Sequence, residues 1–227
     1  MEQPLVIIVQ GSPRTDGNSA VLALDAFEAC EAAGFEALIV SSFVLMQEYA
    51  HSCNGCMNCL ATGDCVFDDG ITQFCEMLDA ASGLLWITPV YFGSVPGELK
   101  ALIDRFQVFW SRRKRGEELY FKSRRPASAL IVGSGEDPFG TEAVSIPLAS
   151  ASNIAEFTLI DSTVILGIDE ADAMTHPDNV DKRNVARDAI DRFIEAVHDW
   201  DGALVVEYDE SKGQLTVSSP NHPDSAG

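Results

Sequence analysis

The chain has 227 residues, 46% of them hydrophobic, and a formal net charge of −20 at pH 7. This length and this apolar content suffice for one domain with a packed core and exclude a globally disordered protein. The acidic balance argues against a nucleic-acid binder, because a phosphate backbone would repel such a surface. No apolar run reaches the roughly 20 residues of a membrane span, and the first residues lack a secretory signal pattern, so we expect a cytoplasmic protein.

Buried strands alternate with helical segments over the first 200 residues. Apolar runs predict strands at 4–10, 35–44, 83–90, 126–134 and 156–167. Helices are predicted up to Gly34 and then over 68–81, 96–110, 141–153 and 178–200. This alternation is typical of a parallel sheet covered by helices on both faces. Five strands suit an α/β flavodoxin-like three-layer sandwich, which we assign to residues 1–200.

The pattern changes after Gly202. Two β-type runs, 203–209 and 214–219, are separated by the turn sequence ESKG, which predicts a β-hairpin. The residues after it, PNHPDSAG, are expected to form a mobile tail. We therefore assign residues 201–227 to a C-terminal extension.

The turn after the first strand has the composition of an anion-binding loop. Residues 11–19, GSPRTDGNS, join a strand end to a helix start, where unpaired backbone N–H groups and the helix dipole favour a phosphate. The loop is neither a G-x-G-x-x-G fingerprint nor a P-loop, and an ordinary turn that caps the helix is the alternative. The candidate phosphate ligands are Ser12, Arg14, Gly17, Asn18 and Ser19.

This loop resembles the FMN phosphate loop of the NAD(P)H-dependent FMN reductases, a family of the flavodoxin-like group. Residues 88–105, TPVYFGSVPGELKALIDR, resemble the second flavin loop of the same family and the helix that follows it. A rigid apolar and aromatic loop at a strand end also suits a flat ring, although a proline-ended strand with core aromatics is the alternative. The residues that the resemblance implies along the isoalloxazine edge are Pro89, Val90, Tyr91, Phe92 and Gly93.

A third loop at a strand end contains two glycines, Gly133 and Gly135. Glycine permits the close approach of a backbone to a ring, so we expect a third flavin contact here. The family more often has a longer glycine run at this place, and an ordinary loop is the alternative.

Four cysteines, Cys53, Cys56, Cys59 and Cys65, lie in one thirteen-residue stretch. We name residues 51–67 the cysteine loop and expect it to be inserted into the flavodoxin-like domain. Crowded cysteines without an export signal are typical of a metal site rather than of disulfides. The C-x2-C-x2-C-x5-C spacing suits three thiolates on three irons of a [4Fe–4S] cluster, with the last cysteine returning to the fourth. Zinc and redox-active or empty thiols remain open as alternatives.

The cysteine spacing resembles that of the iron–sulfur flavoproteins, the cluster-bearing branch of the FMN reductase family. The resemblance covers about residues 4–200, and some relatives keep similar cysteines without a cluster. It implies FMN and a [4Fe–4S] cluster as cofactors, and electron transfer from NAD(P)H or a ferredoxin-like donor to an acceptor. It also implies a homodimer or homotetramer. We identify no general acid or base.

Two further functions stay open. One is a cluster-free NAD(P)H-dependent FMN reductase that acts on quinones or similar small acceptors, and the other is a zinc-stabilised interaction module. The segment 111–125 holds seven of the fifteen basic residues and two acidic ones. It is a candidate for steering a negative partner, and a solvated loop neutralised by nearby carboxylates is the alternative.

The two remaining cysteines lie in helical segments. Cys75 shares an i, i+3, i+4, i+7 stripe with Ile71, Phe74 and Leu78, which predicts a buried helix face. Free cysteine behaves there as a small apolar side chain, so we interpret Cys75 and Cys30 as core residues.

Overall fold

The computed structural model describes residues 3–116, 123–135, 141–168, 170 and 173–200, and the backbone of two further strands at 205–209 and 214–218. The strands are β1 Leu5–Gln10, β2 Glu36–Ser41, β3 Gly83–Pro89, β4 Arg125–Gly133, β5 Phe157–Leu166, β6 Val205–Asp209 and β7 Gln214–Ser218. The α-helices are α1 Asn18–Ala32, α2 Ser42–Glu48, α3 Asn58–Thr62, α4 Gly70–Ala80, α5 Gly97–Asp104, α6 Gln107–Lys114, α7 Glu142–Ile154 and α8 Val180–Asp199. Two 3-10 turns, Ala173–Thr175 and Pro177–Asn179, precede α8.

Strands β1 to β5 form one parallel sheet in the order β2-β1-β3-β4-β5. This is the flavodoxin-like order, and it confirms the fold predicted for this domain. The chain places β2 on one side of β1 and then crosses over to place β3 on the other side. The loops that follow these two strands therefore diverge and leave a crevice at their carboxyl ends, which is where such sheets bind ligands.

Alternate residues of the central strands fill two separate cores, one on each face of the sheet. Ile7, Val9 and Trp86 pack with α4, α5, α6 and α7 on one face, and the Trp86 indole N–H donates to Ser152 Oγ at 2.9 Å. Val6 and Ile8 pack with α1 and α8 on the other face. Two covered faces explain why the strands read as continuous apolar runs rather than as alternating ones.

The predicted apolar helix faces are confirmed. Ile71, Phe74, Cys75 and Leu78 of α4 are all buried, and Cys30 of α1 is buried as well. Burial raises the pKa of both the Cys30 and the Cys75 thiol to about 12, so both stay protonated at neutral pH. They are core side chains, as the sequence predicted.

Two predicted boundaries were wrong, and a short helix in the cysteine loop was not predicted. The second strand ends at Ser41, whose side chain caps α2 by accepting from the Val44 N–H. The cysteine loop contains a short helix, α3, that its irregular pattern did not indicate. The helix predicted over 96–110 is two helices, because Arg105 and Phe106 donate to carbonyls three residues back rather than four, which ends α5.

Strands β6 and β7 pair antiparallel, with Val205 opposite Ser218. The predicted tail lies outside the described residues, and the division at residue 200 stays a prediction. Within the described part of the chain, no helix combines the length and the apolar character needed to cross a bilayer.

Candidate functional site

A cavity of about 200 Å³ opens at the carboxyl ends of β1, β3 and β4. These three strands are neighbours in the sheet, so the loops that follow them meet there. Nine of the residues predicted for flavin binding line it: Ser12, Arg14, Gly17, Asn18, Ser19, Pro89, Val90, Tyr91 and Gly133. We call it the strand-end cavity. Its walls thus come from all three of the predicted loops.

Hydrogen bonds between side chains and the backbone stabilise the 11–19 loop. Gln10 Nε2 donates to the Arg14 carbonyl at 3.2 Å, and the Arg14 N–H donates to Ser12 Oγ at 3.1 Å. A Cβ atom at Gly11 would lie 2.6 Å from Leu99 Cδ2 and 2.8 Å from Thr88 Oγ1. Position 11 therefore requires glycine, because any side chain there would push against α5 and β3.

The entrance to α1 favours an anion. The helix begins after Gly17 with no side-chain cap and no acidic residue in its first turn. Its first N–H groups have no partner within the helix, and the dipole makes this end positive. Among the described residues that line the cavity, Arg14 is the only cation and none is acidic. The cavity is thus suited to a phosphate group.

Asn18 differs from the other predicted phosphate ligands. Its Nδ2 donates to the Glu170 carbonyl at 2.7 Å, and its Oδ1 accepts from the Met174 N–H at 2.8 Å. Both polar atoms of the side chain therefore have a protein partner. Asn18 lines the cavity, but it mainly ties the segment after β5 to the start of α1.

The loop after β3 ends in a tight aromatic turn. Tyr91 and Ser94 exchange N–H···O=C hydrogen bonds of 2.8 and 3.0 Å, and the two residues between them, Phe92 and Gly93, have φ values of 51° and 65°. Two central residues with positive φ define a type I′ turn, a conformation that is costly for an aromatic residue. The structure does not bring Phe92 and Gly93 to the cavity, and the Phe92 side chain is fully exposed.

In the third predicted loop, too, only some of the predicted residues line the strand-end cavity. Gly133 lines the cavity, whereas Gly135 does not and has a φ of 91°. Sequence reasoning missed three lining residues, Val132, Ser134 and Ile168. The Ile168 N–H donates to the Gly133 carbonyl at 3.1 Å, which places the segment after β5 beside the segment after β4. Including the end of the fifth strand in the strand-end argument would have found Ile168.

A buried ion pair closes the base of the cysteine loop. Asp69 caps α4 and accepts from the His51 N–H at 3.0 Å and from Arg105 Nη1 and Nη2 at 2.8 and 3.0 Å. Arg105 Nη1 also donates to the His51 carbonyl at 2.6 Å. Burial alone would raise the pKa of Asp69, but the hydrogen bonds and charge of Arg105 and the His51 N–H lower it below its usual range. Both ends of the loop are thus fixed to one guanidinium.

All four predicted cluster ligands, Cys53, Cys56, Cys59 and Cys65, line one small cavity of about 30 Å³. We call it the cysteine cavity. It is also lined by Arg105, which lies between α5 and α6, and by the first two residues of α6, Gln107 and Val108. Positive φ values at three loop positions turn the backbone sharply around it; they are Gly55, Met57 and Gly63.

The four thiols share one cavity but are not gathered around one point. In the described residues, no group of three or more histidine, cysteine or acidic side chains is arranged to hold a metal ion. A zinc ion needs its ligands around one centre, whereas a cubane distributes four thiolates over four irons.

Helix α6 supports the cysteine loop with polar side chains. Ser111, fully buried, donates from Oγ to Cys59 Sγ at 3.1 Å. Arg112 Nε donates to the Gly63 carbonyl at 3.2 Å, and Arg115 Nη1 donates to the Ala61 carbonyl at 2.5 Å. Both carbonyls lie at the carboxyl end of α3, the negative end of its dipole.

Most of the described basic residues in 111–125 bind within the protein. Arg113 and Arg124 both donate to the Asn153 carbonyl, at 3.0 and 2.7 Å. Arg125 is buried, and its guanidinium donates to four carbonyls at the ends of α4 and α7; these belong to Leu78, Asp79, Ala81 and Ala155. Arg112 pairs with a carboxylate, Asp79, at 2.9 Å. The partners are thus mainly backbone carbonyls rather than the carboxylates of the alternative interpretation, and the steering of a negative partner stays a prediction. Lys122 lies outside the described residues.

A family model described as NADPH-dependent FMN reductase matches residues 4–167. The chain belongs to this family. It is 30% identical over 163 residues to an iron–sulfur flavoprotein of Methanocaldococcus jannaschii, which covers 71% of this chain and 75% of the relative. It is 33% identical over 129 residues to an iron–sulfur flavoprotein of Methanosarcina thermophila, and the match covers 57% of this chain and 63% of the relative. The protein is therefore a flavin-dependent oxidoreductase of the iron–sulfur flavoprotein branch, with FMN as the family cofactor.

Solved structures share the fold at low sequence identity. An NADH:FMN oxidoreductase in its apo form superposes with a TM-score of 0.59 at 18% identity, covering 94% of this chain and 95% of its own. An azoreductase superposes with a TM-score of 0.53 at 14% identity, and the match covers 85% of this chain and 98% of the azoreductase chain. At these identities the likeness shows the fold alone, and it is the fold of FMN reductases.

Proposed function

We propose that this FMN reductase family member is an electron-transfer iron–sulfur flavoprotein. In this proposal FMN binds in the strand-end cavity, and Cys53, Cys56, Cys59 and Cys65 hold a [4Fe–4S] cluster. One observation carries it: one stretch of chain contributes to both cavities. Residues 89–91 line the strand-end cavity, and Arg105, which follows α5, lines the cysteine cavity. Helix α5 lies between these two segments in the chain, and its eight residues span about 12 Å.

The strand-end cavity supplies what a flavin phosphate and ring require. The N–H groups at the start of α1 and the Arg14 guanidinium would hold the phosphate. Apolar side chains on the other walls, Val90, Val132 and Ile168, would exclude water from the ring, and Tyr91 offers an aromatic edge. Bound FMN would supply the exchange between paired and single electrons.

The cysteine cavity fits an anionic thiolate cluster on two grounds. A buried hydroxyl already donates to Cys59 Sγ, and the Nε atom of Arg105 is buried without a hydrogen-bond partner in the described part of the chain. A buried unpartnered charged donor is costly, so it is a group that a negative ligand would satisfy. The cluster would supply one-electron transfer, while the protein holds the thiolates and surrounds them with donors.

The donor and the assembly remain parts of the same proposal. The family description supports a nicotinamide donor, and a ferredoxin-like donor is retained from the resemblance. We also retain a homodimer or homotetramer and a cytoplasmic location.

The test is cofactor analysis of protein purified without oxygen. We expect about one FMN, four irons and four acid-labile sulfides per chain. Cys59→Ser should lose iron and keep FMN. Its matched control is Cys75→Ala, which changes a buried cysteine outside the loop and should keep both cofactors.

Two outcomes would replace this proposal with its rivals. Background iron with full FMN and NADPH-dependent turnover would identify a cluster-free reductase. Stoichiometric zinc in a colourless protein would identify a zinc-stabilised module.

A further inference from the structure

The cysteine cavity has two unequal sides. Cys53 and Cys56 are exposed, whereas Cys59 and Cys65 are partly buried. The two polar groups on their side of the cavity, Arg105 before α6 and Ser111 within α6, are almost fully buried. The side of the cavity that faces the protein is therefore also the side that carries hydrogen-bond donors.

Arg105 has one donor that the ion pair at the base of the loop does not use. Its Nη atoms bind Asp69 and the His51 carbonyl, while Nε is buried and has no partner among the residues that the structure describes. Arginine keeps its charge in folded proteins, and Arg105 lines the same cavity as Cys65. The guanidinium therefore places a positive charge on the wall of the cavity that holds the cysteines.

Ser111 contacts the other buried cysteine directly. Its Oγ donates to Cys59 Sγ at 3.1 Å, and the thiol itself lies 3.9 Å from the Gln107 carbonyl. A cysteine that ligates iron has lost its proton, so it keeps the bond from Ser111 and loses the one to Gln107. The serine contact is the one that survives cluster binding, and it becomes charge-assisted.

We propose that Arg105 and Ser111 are tuning residues that raise the reduction potential of the cluster by donating to the sulfurs of Cys65 and Cys59. Reduction adds one negative charge, and a buried cation and a buried hydroxyl stabilise that charge more than they stabilise the oxidised state. Neither residue exchanges electrons, so both are positioning residues. The inference rests on the cluster of the proposed function.

The test for Ser111 is a redox titration of the cluster in Ser111→Ala, followed by electron paramagnetic resonance without oxygen. Loss of one charge-assisted hydrogen bond should weaken the reduction equilibrium about tenfold, which is ~59 mV for a one-electron couple. The control is Ser128→Ala, since Ser128 also has a buried hydroxyl but lies on β4 with no partner among the described residues. An unchanged potential in a fully loaded Ser111→Ala protein would overturn the assignment of Ser111.

The test for Arg105 compares Arg105→Lys with Asp69→Asn. Lysine keeps the charge but removes the Nε donor, whereas asparagine weakens the ion pair and leaves Nε in place. A loaded Arg105→Lys protein with a lowered potential, beside a smaller change in loaded Asp69→Asn, supports the proposal. An unchanged potential, or loss of iron in Arg105→Lys, would mean that Arg105 acts only by closing the loop. If the unmodified protein lacks iron, the proposed function itself fails.

Discussion

The strand-end cavity and the cysteine cavity are built in different ways. The strand-end cavity is formed by the sheet: three neighbouring parallel strands end together, and the residues at and after their ends form most of the walls. The cysteine cavity lies outside the sheet, in a loop between α2 and α4, and side chains from α6 and the α5–α6 segment hold it.

This difference determines what each site is sensitive to. A cavity shaped by the course of three loops should be disrupted where an added side chain pushes them apart, as at Gly11. A loop held by a few polar side chains fails when one of them is removed, because a buried partner is then left unpaired. Single substitutions should therefore damage one site and leave the other intact.

The largest effect is expected at the base of the cysteine loop. Asp69→Ala leaves the buried Arg105 guanidinium unpaired and removes the cap of α4, so the free energy of unfolding should fall by about 3–5 kcal/mol. Urea unfolding measures this loss, and iron analysis should show a depleted cluster beside unchanged FMN. Asp104→Ala is the control, since it breaks a half-exposed pair with Lys100 that contributes little. Equal loss of both cofactors in Asp69→Ala would contradict a local role.

The reverse pattern is expected at Gly11. Gly11→Ala places a Cβ atom within 3 Å of Leu99 and Thr88, which should destabilise the protein by about 1–3 kcal/mol and lower FMN content. Iron content should stay at the unmodified level. Gly97→Ala is the matched control, because it adds the same methyl group to open space at the start of α5. Full FMN occupancy in Gly11→Ala would show that the close contact does not shape the cavity.

A smaller effect is expected for the charge at the strand-end cavity. Arg14→Gln removes the only cation among the described lining residues, so the FMN dissociation constant should rise about tenfold at low salt. The difference should shrink as salt is added, because Arg14 is exposed and its charge is screened. Quenching of FMN fluorescence by the apoprotein measures both, with the exposed neighbour Thr15→Ala as control. A salt-independent affinity would argue against a phosphate at Arg14.

The strand-end cavity could be predicted to a large extent. Parallel strands bring their carboxyl ends to one edge, so the strand pattern alone indicated that residues 11–19, Pro89 and Gly133 lie near one another. What could not be predicted is how far each loop reaches. The type I′ turn carries Phe92 away from the cavity, and turn geometry of this kind depends on two φ angles that the composition does not specify.

The cysteine loop could be predicted only in part. The spacing indicated four thiols around one site, and all four line one cavity. Its supports were hidden, because Arg105, Ser111 and Arg112 belong to a segment interpreted as one helix and a charged run. Their partners lie 36 to 52 positions away in the chain, and periodicity reports which face of a helix is buried but not what it binds.

The smallest effect is expected in the acid dependence of stability, and it arises at the base of the cysteine loop. The pKa of Asp69 is lowered in the folded protein, so the ion pair stabilises the fold above the ordinary aspartate value of about 4. That contribution is lost as the pH falls through the lower folded-state value. The unfolding free energy of Asp69→Asn should therefore depend less on pH in this range than that of the unmodified protein. Parallel acid profiles for the two proteins would show that the ion pair contributes no charge-dependent stability at the base of the loop.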